Sequence, residues 1–177
     1  MRHSTKSKNR FNHLIHWLKD WLRDVLPAVL LAYLFFGVLF RLTVVVGSSM
    51  EPTLRSGSLV LTQSAFYHPK RGDIVVCRPE KRGKILIKRV IGVSGDTVDI
   101  DFQTGEVKVN GLTLDEPYIL ERTHRNDDGM QFPVVVEEGR FFLLGDNRNN
   151  SRDIRSLSVG QVSEDSILSG YVFTILP

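Results

Sequence analysis

Two side chains in this sequence are of types that could do chemistry: the hydroxyl of Ser49 and the amine of Lys88. A serine hydroxyl is a weak nucleophile until a base removes its proton. Lys88 lies in the run Ile85-Leu86-Ile87-Lys88-Arg89-Val90-Ile91. In a strand, residues two apart share a face. Leu86, Lys88 and Val90 then point one way, and Ile85, Ile87, Arg89 and Ile91 the other. Both faces are largely apolar, so the strand is expected to be covered on both sides. A lysine between Leu86 and Val90 loses hydration, which lowers its pKa from about 10.4. An amine brought toward neutral pH can act as a general base. The same pattern also fits a lysine that reaches a strand edge or pairs with a carboxylate. Ser49, near glycine and ahead of Pro52, also fits a plain turn.

Histidine is the commoner base for serine. His3, His13 and His16 precede an apolar segment and fall on the far side of a membrane from the body, in the topology argued below. His68 precedes Pro69 in a turn-like stretch, and His124 sits in a polar loop. Neither has the context of a base. A third segment, Leu144-Gly145-Asp146-Asn147-Arg148-Asn149-Asn150-Ser151-Arg152-Asp153-Ile154-Arg155, reads as a solvated loop or as a support that orients the lysine. Asp153 and Arg155 are spaced to pair locally. The single cysteine, Cys77, lies in Ile74-Val75-Val76-Cys77 and reads as a small buried side chain. One cysteine permits no intramolecular disulfide and no Cys/His zinc spacing.

These residues must be positioned by strands. Short runs rich in β-branched and aromatic residues, bounded by Gly, Pro, Asn or Asp, cover 58–64, 73–78, 85–93, 97–101, 106–109, 112–114, 134–137, 140–144 and 170–176. Asn110-Gly111 is a two-residue hairpin signal, and Glu138-Gly139 marks another turn. No long amphipathic helix separates the strands, which argues against βαβ units. The expected fold is all-β and mostly antiparallel, a barrel-like or sandwich-like catalytic domain with one N-terminal transmembrane helix. The polar stretch 121–131, with Asp127-Asp128-Gly129, is expected to be an exposed loop.

The chain has 177 residues, 42% of them hydrophobic and 24% charged, enough for one folded domain and one extra element. Its net charge of +3 is unevenly placed. Arg2, Lys6, Lys8, Arg10, Lys19 and Arg23 lie at the start, with Asp20 the one acid among the first 23 residues. The remainder is slightly negative, which argues against a nucleic-acid partner. From Val25 to Phe40 there is no charge, and after Arg41 the apolar run continues to Val46. Roughly 22 helical residues reach about 33 Å, enough to cross a hydrocarbon core of about 30 Å. Arg41 can snorkel, and Pro27 sits near the start, where a missing amide costs little. Phe11, Leu14, Ile15, Leu18 and Leu22, with Trp17 and Trp21, suggest an interfacial helix ahead of the span. The expected organisation is a cytoplasmic basic and interfacial segment at 1–24, a transmembrane helix at 25–46 and an extracytoplasmic catalytic domain at 47–177. A cleavable signal peptide ending near Val45-Val46-Gly47 and a buried core helix are the competing readings of the apolar run.

Four segments, in order, resemble the motifs of the bacterial type I signal peptidases, or leader peptidases. They are Ser49-Met50-Glu51-Pro52-Thr53-Leu54; Arg71-Gly72-Asp73-Ile74-Val75-Val76; Lys88-Arg89-Val90-Ile91-Gly92 with Gly95-Asp96; and Gly145-Asp146-Asn147-Arg148-Asn149-Asn150-Ser151. The resemblance covers about 44–177. It implies that Ser49 attacks the scissile carbonyl while Lys88 takes its proton and later serves the leaving amine. Ser151 would hydrogen-bond to Lys88 and orient it. Asp153 and Arg155 would support that loop by pairing, with Arg89 as a further partner. The Ser49 amide would donate to the oxyanion. Some members carry a hydroxyl two residues before the nucleophile; here Gly47 stands there, so the oxyanion site must rely more on backbone donors. Ile154 departs from the commoner Asp-Ser-Arg form but leaves the charged pair in place.

The resemblance also implies removal of signal peptides from exported preproteins, with cleavage after small residues in Ala-x-Ala. Shallow apolar pockets would be lined by Val45, Met50, Leu54, Val76 and Ile87. No metal or cofactor is implied. The implied partners are preprotein signal peptides and the lipid bilayer, near the secretion translocon. The implied place is the bacterial plasma membrane, single-pass with a cytoplasmic N-terminus. A conjugation-type Ser-Lys processing protease, or an inactive membrane-anchored binding protein of the same fold, would share much of this pattern. The latter predicts loss of Ser49 or Lys88, and both are present.

Overall fold

A computed structural model describes residues 4–125 and 130–177. The chain divides into two compact units, Met1–Leu39 and Phe40–Pro177. The first is a single helix, α1, over Ser4–Leu39. Its stretch His16–Leu39 is apolar, with mean hydropathy 1.8, and none of that stretch is buried within the protein. At 1.5 Å per residue its 24 residues reach roughly 36 Å, long enough to cross a bilayer core.

The helix is shorter at its end than the expected 25–46. It stops at Leu39, and the next residues form strand β1, Phe40–Val44. The apolar run therefore holds two elements. Thr43, Val44, Val45 and Val46 are a β-branched tract, whose side chains fit a pleated strand better than a helix. β1 pairs antiparallel with β2, Leu59–Gln63, and Val45 beyond it is buried in the body. The span His16–Leu39 does not need these residues for length.

The body is mostly antiparallel β-sheet. Its remaining strands are β3, Ile74–Cys77; β4, Leu86–Gly92; β5, Thr97–Asp101; β6, Glu106–Val109; β7, Leu112–Thr113; β8, Val134–Val135; β9, Arg140–Leu144; β10, Val162–Ser163; and β11, Ile167–Leu176. One sheet has seven strands in the order β1-β2-β11-β3-β4-β9-β10, and a second has four in the order β7-β6-β5-β8. The nine strands expected from sequence all form; β1 and the two-residue β10 are additions. Asn110 and Gly111, with φ of 55° and 79°, make the expected hairpin between β6 and β7. Residues 126–129 of the expected 121–131 loop lie outside the described residues.

Alternation along β4 sends side chains into different cores. Ile91 joins Val98, Ile100, Val107, Phe142 and Leu144 in the cluster shared with the small sheet. Val90 joins Val75, Cys77, Phe141 and Leu143 on the opposite face. Lys88 shares the Val90 face by the same alternation, and its pairing places it directly across from Val75. This apolar sandwich is what removes Lys88 from water.

Candidate active site

The turn that carries Ser49 is pinned from below. Met50 and Leu54 are each 1% exposed and pack with Val45, Val60 and Ile74. The Glu51 amide donates to Ser48 O at 3.1 Å, and the Leu54 amide to Met50 O at 2.9 Å. Gly47 has φ of 91°, a left-handed conformation that glycine adopts without steric cost. With its base in the core, the turn leaves Ser49 half-buried at the surface.

Lys88 reaches that serine from the facing strand. It is 3% exposed, and its Nζ is hydrogen-bonded to Ser49 Oγ at 2.7 Å. Nζ also donates to Ile87 O at 2.9 Å. Burial pushes its pKa below the ordinary lysine value, while the charges of Asp153 and then Cys77 pull the other way. Among the described residues, Lys88 is the side chain that hydrogen-bonds to Ser49 Oγ. His68 Nδ1 instead faces Glu164 at 3.5 Å, and His124 Nδ1 is hydrogen-bonded to Phe102 O at 3.0 Å. Cys77 is fully buried, and burial pushes its thiol up to about 12, against the opposing effect of Lys88. It behaves as the small packed side chain expected.

The loop after β9 closes the site from the other side. Asp146 is fully buried and takes Arg89 in a forked pair, Nε to Oδ1 at 2.8 Å and Nη2 to Oδ2 at 2.6 Å. Thr53 Oγ1 donates to the same carboxylate at 2.6 Å, tying the Ser49 turn to this pair. The Arg89 guanidinium lies 4.0 Å from the centre of the Tyr118 ring. Arg89 was expected to join Asp153 and Arg155; the structure gives it Asp146 instead. Asp153 and Arg155 do pair with each other, Nε to Oδ1 at 2.8 Å and Nη2 to Oδ2 at 2.9 Å. Burial of Asp153 works against its charge, but Arg155 and the Gly145 amide outweigh it and lower its pKa. Breaking a buried pair of this kind costs about 3–5 kcal/mol, because one charge is left without its partner.

Ser151 is placed differently from expectation. It is 5% exposed and its Oγ makes no hydrogen bond to Lys88; it faces Asp153 instead, where it helps to hold that carboxyl's pKa down. It packs against Gly145, where a Cβ would stand 2.2 Å from its Oγ. The expected backbone donor at Gly47 is engaged elsewhere, its amide donating to Ser56 Oγ at 3.1 Å.

A groove of about 280 Å³ runs beside the serine, lined by residues 43–47, Ser49, Met50 and residues 85–88. Val45, Met50 and Ile87 are among its walls. Leu54 and Val76 are not: Leu54 lies under the turn, and Val76, 5% exposed, is packed within β3. Sequence reasoning assigned no role to Thr53, Asp146, Asn147, Arg148, Glu116 or Tyr118. Arg148 is fully buried and pairs with Glu116, and it also donates to Thr123 Oγ1 at 2.9 Å. The charged residues of the 145–155 motif were a usable signal for Asp146 and Arg148; Glu116 and Tyr118 lie in a segment with no distinctive pattern.

The family model described as Signal peptidase, peptidase S26, matches residues 18–176. A signal peptidase I of Bacillus licheniformis is 34% identical over 181 residues, covering 97% of this chain and 94% of that protein. Signal peptidase I T of Bacillus subtilis (strain 168) is 36% identical over 156 residues, covering 83% of this chain and 79% of the other. Among solved structures, a signal peptidase I from Enterococcus faecalis V583 aligns at 28% identity with a TM-score of 0.49, covering 62% of this chain and 100% of that one. The chain belongs to the signal peptidase family, peptidase S26. It is an enzyme, a serine peptidase of the signal peptidase I type.

Proposed function

We propose that this enzyme removes signal peptides from exported preproteins with a Ser49–Lys88 dyad. The observation that carries the reading is the 2.7 Å bond between Lys88 Nζ and Ser49 Oγ, made by an amine that burial holds below its ordinary pKa. A neutral Lys88 takes the Ser49 proton as Oγ attacks the scissile carbonyl. The Ser49 amide donates to the oxyanion that forms. Lys88 then passes the proton to the leaving amine, and water hydrolyses the acyl-serine with Lys88 again as base. Asp153, held by Arg155, and Asp146, held by Arg89, fix the two loops around the dyad.

The substrate enters as an extended strand beside β1, whose outer edge carries no neighbouring strand among the described residues. Main-chain bonds supply affinity, and the groove walls select side chains. Val44, Val46 and Ile85, 57%, 87% and 53% exposed, give those walls an apolar surface. Its modest volume favours small residues before the cut, as in Ala-x-Ala. The helix over His16–Leu39 anchors the enzyme in the bacterial plasma membrane. Its basic N-terminal flank stays cytoplasmic and the body lies outside, near the translocon and the emerging cleavage site.

The test uses the full chain in lipid vesicles and a preprotein with an Ala-x-Ala site. Mass spectrometry is expected to place the cut after the second alanine. Replacing either alanine by leucine is expected to lower the rate by about 10²-fold or more, through a clash in the groove. Cleavage at an unrelated position, or no effect of leucine, contradicts the reading.

A further inference from the structure

The amide that meets the oxyanion belongs to the peptide group between Ser48 and Ser49. We propose that Asn147 is the positioning residue for that peptide group: by holding the Ser48 carbonyl, it aims the Ser49 N–H at the substrate carbonyl. The proposal rests on Ser49 being the nucleophile.

The Ser48–Ser49 bond is trans, since the cis bonds are those before Pro52 and Pro133. In a trans peptide the C=O and N–H point in opposite directions, and the plane moves as one body. Whatever holds Ser48 O therefore sets where Ser49 N–H points. Two donors hold it. The Glu51 amide, at 3.1 Å, closes the local turn. Asn147 Nδ2, also at 3.1 Å, comes from a loop 99 residues away and fixes the turn relative to the body. The Asn147 backbone amide adds a bond to Ser49 O at 3.1 Å, so one residue spans two successive carbonyls of the nucleophile turn.

Asn147 is itself held firmly. It is 5% exposed and stands between Asp146, paired with Arg89, and the fully buried Arg148. Ser49 N–H has no acceptor among the described residues, so it is free for the oxyanion. A hydrogen bond accepted at Ser48 O also polarises the peptide and strengthens that N–H as a donor. The residue before this pair is Gly47, which has no hydroxyl and whose amide is committed to Ser56 Oγ. The direction of one N–H then matters more than it would beside a second donor.

The test compares Asn147→Ala and Asn147→Asp with the parent and with Ser49→Ala. Aspartate keeps the shape, but its carboxylate cannot donate to Ser48 O. Loss of an oxyanion donor costs about 10²–10³ in kcat, so misaiming one is expected to cost about 10–100-fold. KM is expected to stay within about twofold, and the pH midpoint of kcat to stay in place, because Lys88 keeps its serine. A substrate-like peptide aldehyde, which Ser49 converts to a tetrahedral hemiacetal, should lose affinity in parallel with kcat. Three results overturn the proposal alone, provided that Ser49→Ala is inactive. These are parental kcat in both folded variants, a loss confined to KM, or failure of both variants to keep the parental Tm, which makes Asn147 merely structural. Parental activity in Ser49→Ala overturns the nucleophile reading itself.

Discussion

Ser49→Ala and Lys88→Met are each expected to lower preprotein cleavage by about 10⁴-fold or more, with the double variant no worse than either single change. Nucleophile and base act on one proton in one step, so losing either removes the whole effect. Methionine approximates the length and volume of lysine but offers no base. The stability effects run opposite to the activity effects. Burial depresses the pKa of Lys88 in the folded protein relative to the unfolded chain. At any pH below the unfolded value, folding must then shed the proton or bury the charge, and either costs stability. That cost grows as pH falls toward the folded pKa and is constant below it. Lys88→Met removes the cost and is expected to raise Tm at neutral pH. A residue whose removal stabilises the fold while abolishing turnover is held in place by function. Activity and Tm measured together check this. A modest loss of rate with a falling Tm would assign Lys88 to packing instead.

Gly145→Ala is the second large effect expected, and its cause is space rather than backbone conformation. Gly145 is not among the residues with left-handed φ, so alanine suits its backbone. The added Cβ, however, would stand 2.2 Å from Ser151 Oγ, 2.5 Å from Ser49 O and 2.6 Å from Ser151 Cβ. A side-chain rotation can relieve contact with an Oγ. It cannot relieve contact with Ser49 O, which is backbone of the Ser49 turn. Either the 145–151 loop or that turn must move. A shift of about 1 Å at a reacting group costs about 10² in rate, and overpacking costs about 1–3 kcal/mol. The expected variant is folded, has a lowered Tm and turns over about 100-fold more slowly. Adding Ser151→Gly should recover some Tm but little rate, because Ser49 O is still displaced. Kinetics and melting curves on the two variants check this, and a parental rate in Gly145→Ala would mean that the loop does not hold the serine.

Much of this arrangement was legible in sequence where a residue's own neighbours determine its environment. The alternation around Lys88 indicated its buried place beside Val90, but the strand is not covered throughout, since Ile85 is 53% exposed and lines the groove with Ile87. Asn110-Gly111 specified its hairpin because few other residues accept those φ values. Strand β1 was hidden because an apolar run following a helix has no periodicity that separates strand from helix. Only the β-branched residues from Thr43 to Val46 marked the change. Partner choice was less legible. Arg89 had Asp153 and Asp146 within one motif, and sequence spacing favoured neither; the β4–β9 pairing places Asp146 beyond Leu144, the register partner of Arg89. Leu54 and Val76 were apolar and near the motifs, which does not distinguish a groove wall from the layer beneath it. Glu116 and Tyr118 became visible only when the chain brought them against Arg148 and Arg89.

The proposed mechanism depends on a neutral Lys88 activating Ser49. The most direct measurement follows the titration of Lys88 by NMR at its labelled side chain, alongside kcat/KM over the same pH range. One shared midpoint is expected, below the ordinary lysine value of about 10.4, with activity rising as the amine loses its proton. A Lys88 that titrates near 10.4 while activity has already reached its plateau at lower pH would contradict it.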